Sequence, residues 1–350
     1  MTNSQLSVEH VSRESLIDNV PYIAFEVRHD SLFEDSKELL VKAFPDWRDD
    51  ELTLKQCKDG ITNKLIQCTN KQTGLTVLIR AYGKHTEVII DRDQELINMA
   101  GLAYMGMCPP LYARFDNGLL YGFIPGNIVK PEEMGSETLG PLIAKKLSEW
   151  NRILLPGDRS PQLFPVIRRW LGDVPRDYED KAANEKFHAH FSLEKLAREL
   201  DELEEVLVKL DSPVVFSHND LLSGNVILSS SQEDVSFIDY EYAAYSYRGF
   251  DIANHFNEYA GFECDYSRYP AKESQLAWFK IYLENADQDA SPEVLEKMYE
   301  EVSLFQLASH YYWGVWALVQ ASISDIDFDY MDYAKSRFDQ YFKVKAELLN

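Results

Sequence analysis

The segment Phe216-Ser217-His218-Asn219-Asp220-Leu221-Leu222-Ser223-Gly224-Asn225, followed by Ile238-Asp239-Tyr240-Glu241, sets two carboxylates and a carboxamide at the spacing that phosphoryl transfer uses. Asp220 holds the place of a base that orients an attacking hydroxyl. Asn225 and Asp239 are hard oxygen donors of the kind Mg²⁺ takes, with Asp239 expected as the main ligand. The reaction needs such a set because nucleotide phosphates bring several negative charges next to the nucleophile. Divalent ions neutralise that charge, while the protein positions and stabilises. A lone His-x-Asp is usually a surface turn, but here the pattern is joined. Val214-Val215-Phe216 leads into the polar loop, Val226-Ile227-Leu228 leaves it, and Val235-Ser236-Phe237-Ile238 delivers Asp239. The pattern predicts strand, loop, strand, turn, strand, with the polar residues on loops held by buried strands.

The phosphate-binding end is expected earlier in the chain. In Lys58-Asp59-Gly60-Ile61-Thr62-Asn63-Lys64, a turn with Gly60, Thr62 and Asn63 can offer backbone N–H groups and short polar side chains to ATP phosphates. One glycine does not make a Walker loop, so the segment draws its weight from preceding a β-rich region. Arg80, ending Val77-Leu78-Ile79, is expected to face the α- and β-phosphates, with Glu95 on the next helix as its partner. Adenine is expected along Tyr121-Gly122-Phe123-Ile124, with Phe123 and Ile124 supplying backbone hydrogen bonds.

The elements that must position these residues follow from periodicity. A helix is predicted over 35–44, stopped by Pro45, then strands over 64–69 and 76–82 around Asn70-Lys71-Gln72-Thr73-Gly74. A helix near 92–103 and strands near 111–115 and 119–123 complete a small α/β lobe. Beyond Pro125-Gly126 the chain reads mainly as helix. Leu193, Leu196, Leu200, Leu203, Leu207 and Leu210 share one face of a helix over 192–210 that is expected to face the core, and 304–321 carries almost no charge. The expected organisation is a flexible N-terminus over 1–20, an ATP-binding lobe over 21–125 and a catalytic and substrate lobe over 126–350. The fold class is α+β.

Composition narrows the function classes. A chain of 350 residues with 45% hydrophobic and 13% aromatic residues is globular and can bury a large core. A formal net charge of −23 disfavours nucleic acid and anionic membranes as main partners and suits a cationic substrate. The four cysteines show neither CxxC nor metal-ligand spacing, and no basic or apolar leader opens the chain. No run is long and apolar enough for stable membrane insertion, so a cytoplasmic protein is expected.

At the catalytic residues the chain resembles the choline/ethanolamine kinase family, and its ethanolamine kinases most. The resemblance runs over about 35–345 through His218 to Asn225, Phe237-Ile238-Asp239-Tyr240-Glu241-Tyr242, Phe250-Asp251-Ile252 to Glu258, Asp59-Gly60-Ile61-Thr62-Asn63-Lys64-Leu65, Arg80-Ala81-Tyr82-Gly83 and Trp313-Gly314-Val315-Trp316. It implies a protein-kinase-like bilobal fold and Mg²⁺·ATP-dependent phosphorylation of an alcohol, with Asp220 as base and Asn225 and Asp239 as metal ligands. Glu241 lies near enough to Asp239 to support the metal. The substrate's ammonium end would be enclosed by Glu258, Tyr266, Trp313, Trp316 and Tyr333. Ring faces and a carboxylate hold a cation increasingly well as water is excluded.

The implied reaction converts ethanolamine to phosphoethanolamine for phosphatidylethanolamine synthesis, the alternative being a choline or dual-specificity kinase. Asp59 to Lys64 and Asp220-Leu221-Leu222 look like ethanolamine kinases, and these two segments carry the preference. Asn219 stands where protein kinases have the Arg of HRD, and Tyr240-Glu241 replaces Phe-Gly of DFG, which disfavours a protein substrate. The expected partner is a small amino alcohol, and oligomeric state, a homodimer included, stays open.

Overall fold

The computed structural model describes residues 6–57 and 63–349. The chain forms two compact units, Met1–Pro125 with Leu155–Gly157, and Gly126–Leu154 with Asp158–Asn350.

The first unit contains α1 (Arg13–Asp18), β1 (Tyr22–Ile23), α2 (Leu32–Ala43), β2 (Leu52–Cys57), β3 (Asn63–Asn70), β4 (Thr76–Tyr82), α3 (Arg92–Tyr104), β5 (Leu111–Phe115) and β6 (Gly118–Gly122). Its six strands lie in the order β1-β5-β6-β4-β3-β2, antiparallel except where β1 runs parallel to β5. The β3–β4 turn is held by Asn70, whose Oδ1 accepts from the N–H groups of Gln72 and Thr73, and by Gly74 at φ 73°. Alternation in β3 and β4 turns Ile66, Cys68, Val77 and Ile79 inward against Leu39 and Leu40 of α2. The expectation of a flexible stretch over 1–20 needs correcting for its described part. Ser12 caps α1 by accepting from the Ser15 N–H, and Leu16 and Val20 pack on Ile97 and Ala100 of α3. The polar composition concealed a six-residue helix whose buried residue, Leu16, joins this cluster.

The second unit contains β7 (Asn127–Ile128), α4 (Leu139–Trp150), α5 (Leu163–Asp173), α6 (Lys181–His190), α7 (Leu193–Val208), β8 (Val214–Ser217), β9 (Val226–Leu228), β10 (Val235–Phe237), β11 (Ala244–Tyr247), α8 (Arg248–Asn257), α9 (Lys272–Glu284), α10 (Pro292–Ile323) and α11 (Tyr330–Leu348). Its short strands form two small sheets, β10-β9-β7 and β11-β8. Leu196, Leu200, Leu203 and Leu207 make α7 a core-facing helix. The apolar stretch near 304–321 is the buried half of α10, which starts much earlier at Pro292, a residue favoured in the first turn. Gly314 of α10 lets α11 approach closely, since a Cβ there would lie 2.7 Å from the Phe338 ring. Among the described residues no helix is long and apolar enough to cross a membrane.

Candidate active site

In the second unit, β8 ends in the buried Ser217 and releases the chain into the loop that carries Asp220 and Asn225. Asp251, in the first turn of α8, fixes the loop's entry from below. Its carboxylate accepts from the backbone N–H of His218 at 3.2 Å and of Asn219 at 2.9 Å, and from the Asn151 amide at 2.8 Å. These three donors come from two separate stretches of chain, so one buried carboxylate ties the loop to the end of α4. Burial pushes the Asp251 carboxyl up to about 6, against the opposing pull of those donors. Asn219 adopts φ 65°, a left-handed conformation that Asn tolerates better than most residues. Its side-chain amide donates to the Tyr242 carbonyl at 2.8 Å, and its own carbonyl accepts from Asn254 at 3.1 Å.

The loop and the Asp239 turn are stitched together through Ile238. The Ile238 N–H donates to the Asn225 carbonyl, and the Ile238 carbonyl lies 3.0 Å from Nε2 of His218. Burial holds the His218 imidazole down at about 4, so it is neutral near pH 7 and Nε2 acts as the donor. These two bonds place Asn225 and Asp239 on adjoining backbone, and Asp239 sits at φ 63°. The Asn225 amide donates to the Asp220 carbonyl at 2.8 Å and to Oδ2 of Asp220 at 3.0 Å. That fixes the amide orientation and leaves Oδ1 as the end available to a ligand.

Electrostatics draw the four acids into one neighbourhood. Burial, and then the charges of Asp239, Glu258 and Glu241, hold the Asp220 carboxyl well above the ordinary carboxylate range. Such a group is a stronger base when ionised, and the surrounding negative potential is what a divalent cation would relieve. Asn225 and Asp239, with Glu241 nearby, form an oxygen-only donor set that fits Mg²⁺. Among the described residues no cluster of three His, Cys, Asp or Glu side chains could hold a metal alone. Mg²⁺ commonly takes one or two protein carboxylates and completes its shell with water and phosphate oxygens. Removing one neighbouring charge tests this coupling. Glu241→Gln is expected to lower the Asp220 pKa, so the acidic limb of the pH–kcat/KM profile moves to lower pH. An unmoved limb in the residual activity would sink the coupling.

The aromatic residues singled out from sequence lie in the same unit. Trp313 and Trp316 on α10 meet edge-on, with ring centroids 5.4 Å apart, and Trp316 lies 6.4 Å from Tyr333 of α11. Both indole N–H groups are used, Trp313 on Asn254 Oδ1 at 2.7 Å and Trp316 on the Tyr242 hydroxyl at 2.8 Å. The rings are thereby fixed by their polar edges. Glu258 follows α8 and is paired with Arg337 of α11 at 2.9 Å, a partner with no local sequence signal. Tyr266 stands apart from the indole pair. Its ring meets His310 edge-on at 5.2 Å, and it joins the cluster through the charges of Arg337 and Glu258. Sequence reasoning also missed Tyr242, which touches Trp313 at 5.4 Å and feels the charges of Glu241 and Asp220.

In the first unit, the structure brings Arg80 and Glu95 together as a buried ion pair. The pair is part of a larger cluster, because Arg92 also donates to Glu95 at 2.9 Å and reaches Thr86 Oγ1 at 2.6 Å and Asn63 Oδ1 at 3.2 Å. Arg92 further lies 4.0 Å over the Tyr82 ring. Its place one residue after the N-cap Asp91, three before Glu95, was the available signal. Gly60 and Thr62 lie outside the described residues. The Phe123 N–H already donates to the Thr76 carbonyl at 3.3 Å, which leaves the Ile124 N–H and the neighbouring carbonyls as the groups open to a base edge.

A sequence model described as choline/ethanolamine kinase matches residues 54–342. The chain is 42% identical over 322 residues to a protein named probable ethanolamine kinase A of Dictyostelium discoideum, covering 90% of this chain and 92% of that one. Among solved structures it is similar to an ethanolamine kinase of Plasmodium vivax, with TM-score 0.82 and 28% identity over 97% of this chain and 96% of the other. It is also similar to a choline kinase of Cryptosporidium parvum, with TM-score 0.75 and 26% identity over 90% and 96% of the two chains.

Proposed function

The chain belongs to the choline/ethanolamine kinase family, and from that premise we propose that it transfers the γ-phosphate of ATP to the hydroxyl of ethanolamine. The fold is the α+β, protein-kinase-like one of that family. The observation that carries the reading is the cross-linked pair of loops, in which Asp220, Asn225 and Asp239 are held by bonds that leave Asn225 Oδ1 available. The ethanolamine hydroxyl attacks the γ-phosphorus, its proton passes to Asp220, and the bond from the γ-phosphorus to the β–γ bridging oxygen breaks to give ADP and phosphoethanolamine. Asn225 and Asp239 would hold Mg²⁺, which when bound would neutralise phosphate charge. Arg80, kept in place by Glu95, faces the phosphates together with Asn63, and adenine lies along Phe123 and Ile124. The proposed reaction is a cytoplasmic one whose product serves phosphatidylethanolamine synthesis.

Glu258, Tyr266, Trp313, Trp316 and Tyr333 receive the ammonium end. Fixed indoles suit that task because a cation is drawn to a ring face, and the N–H edges are already committed elsewhere. Trp313→Ala is expected to raise the KM for the amino alcohol about tenfold while the KM for ATP stays near its original value. A rise confined to ATP would put the pocket elsewhere. The reading as a whole is tested by following ADP release with Mg²⁺·ATP and ethanolamine or choline in parallel. Preference for ethanolamine is expected, because the relative 42% identical to this chain is named for that substrate. Equal or better use of choline supports the second reading, which the similarity to a choline kinase structure motivates. Turnover of neither alcohol refutes both.

A further inference from the structure

We propose that Arg337 is a positioning residue that aims Glu258 at the substrate's ammonium group and ties it to the catalytic loop, an inference that rests on the amino-alcohol kinase reading above. Arg337 is 1% exposed, near the middle of α11, and lies 79 positions from Glu258 in the chain. A guanidinium facing a carboxylate can form two parallel bonds, which would engage both oxygens. Here the fork is split. Nη1 donates to Glu258 Oε1 at 2.9 Å and to the Tyr333 hydroxyl at 3.3 Å, while Nη2 turns to Ser309 Oγ at 3.1 Å and to the Ser309 carbonyl at 3.3 Å. Oε2 of Glu258 therefore accepts from no described residue, and the side chain keeps 9% of its surface exposed. Arg337 holds the carboxylate by one oxygen and presents the other.

The diverted half of the fork reaches the catalytic loop. Ser309 Oγ accepts from Arg337 and donates to Asn254 Oδ1 at 2.9 Å, where Trp313 also donates. The Asn254 amide donates in turn to the Asn219 carbonyl at 3.1 Å, next to Asp220. Each donor along this path points the same way, so each bond polarises the next. Glu258 is thus set relative to the loop that carries Asp220. The purpose follows from chemistry: ethanolamine is two carbons long, so a small error in seating its ammonium displaces its hydroxyl from Asp220. Full removal of Arg337 would leave a buried carboxylate unpaired, which confuses positioning with folding. Lysine keeps the charge but places its donors on one nitrogen, so it cannot span Glu258 and Ser309 as the fork does.

The test measures steady-state kinetics and thermal melting of R337K, E258Q, the double variant and S309A, with the wild type run on ethanolamine alongside. The expected result is a KM for ethanolamine raised about tenfold or more in R337K, with the KM for ATP within about twofold. The double variant is expected to be no worse than E258Q, because Arg337 acts through Glu258. S309A, which removes one anchor of the fork, is expected to raise the same KM about threefold. An unchanged KM for ethanolamine in folded R337K, or effects that multiply in the double variant, overturns the inference while the kinase reading stands. Should R337K fail to fold, S309A decides by the same criterion. A wild type silent on ethanolamine refutes the kinase reading, and the inference falls with it.

Discussion

Asp220→Ala is expected to lower kcat by about a thousandfold while the protein melts at the same temperature or higher. The loss follows from its proposed role as the group that accepts the hydroxyl proton. Asn225 can only donate toward it, and the other acids of the neighbourhood act on it as charges. The stability half of the expectation has a definite sign. The folded-state pKa of Asp220 lies above its unfolded value, so the ionised carboxylate is costly in the native protein near pH 7. Stability from this group is present below the unfolded pKa and declines as pH rises through the folded pKa. Removing the carboxylate removes that cost. The measurement pairs kcat on ethanolamine with the melting temperature near pH 7. Near-normal turnover refutes the role of Asp220, and a large drop in melting temperature would mean that the activity loss reported unfolding. Active sites commonly hold such groups at the expense of stability.

Asp239→Asn is expected to lower kcat by about a thousandfold at ordinary Mg²⁺ concentration, since a charged oxygen donor at a phosphate site accounts for several kcal/mol of charge stabilisation. Asparagine is the informative replacement because the position has φ 63°, which Asn occupies readily and alanine does not. Loss of activity then reports loss of charge at unchanged backbone geometry. The variant has a second consequence. Asp239 is the first charge, after burial, that raises the Asp220 pKa, so its removal makes Asp220 a weaker base that ionises at lower pH. The residual activity should show an acidic limb shifted to lower pH and a need for more Mg²⁺. Saturation at the wild-type Mg²⁺ concentration, with kcat close to normal, would remove Asp239 from the metal site.

The order of the catalytic segment was legible because it is local. Asp220, Asn225 and Asp239 fall within twenty residues of one another, and apolar runs on either side announce the strands that carry them. The β3–β4 hairpin, α3 and α7 were legible for a similar reason, since each shows its own period and its own turn or stop. The ion pair of Arg80 with Glu95 belongs to this group too, being a strand end facing the helix that follows. The short α1 escaped detection because its six residues make fewer than two turns, too few to display a helical period.

The sequence by itself determined the candidate residues for the chemistry, their order along the chain, and the amino-alcohol kinase family they resemble. Only the tertiary structure decided how those residues are held. Asp251 and Asn151 meet across 100 positions to seat the loop, and Glu258 finds Arg337 across 79. Asn254 joins the Asn219 carbonyl to Trp313 and Ser309, and Trp316 is fixed by the Tyr242 hydroxyl. Such partners leave no periodic trace, because a buried polar group needs a counterpart in space and any stretch of chain that passes close enough can supply it.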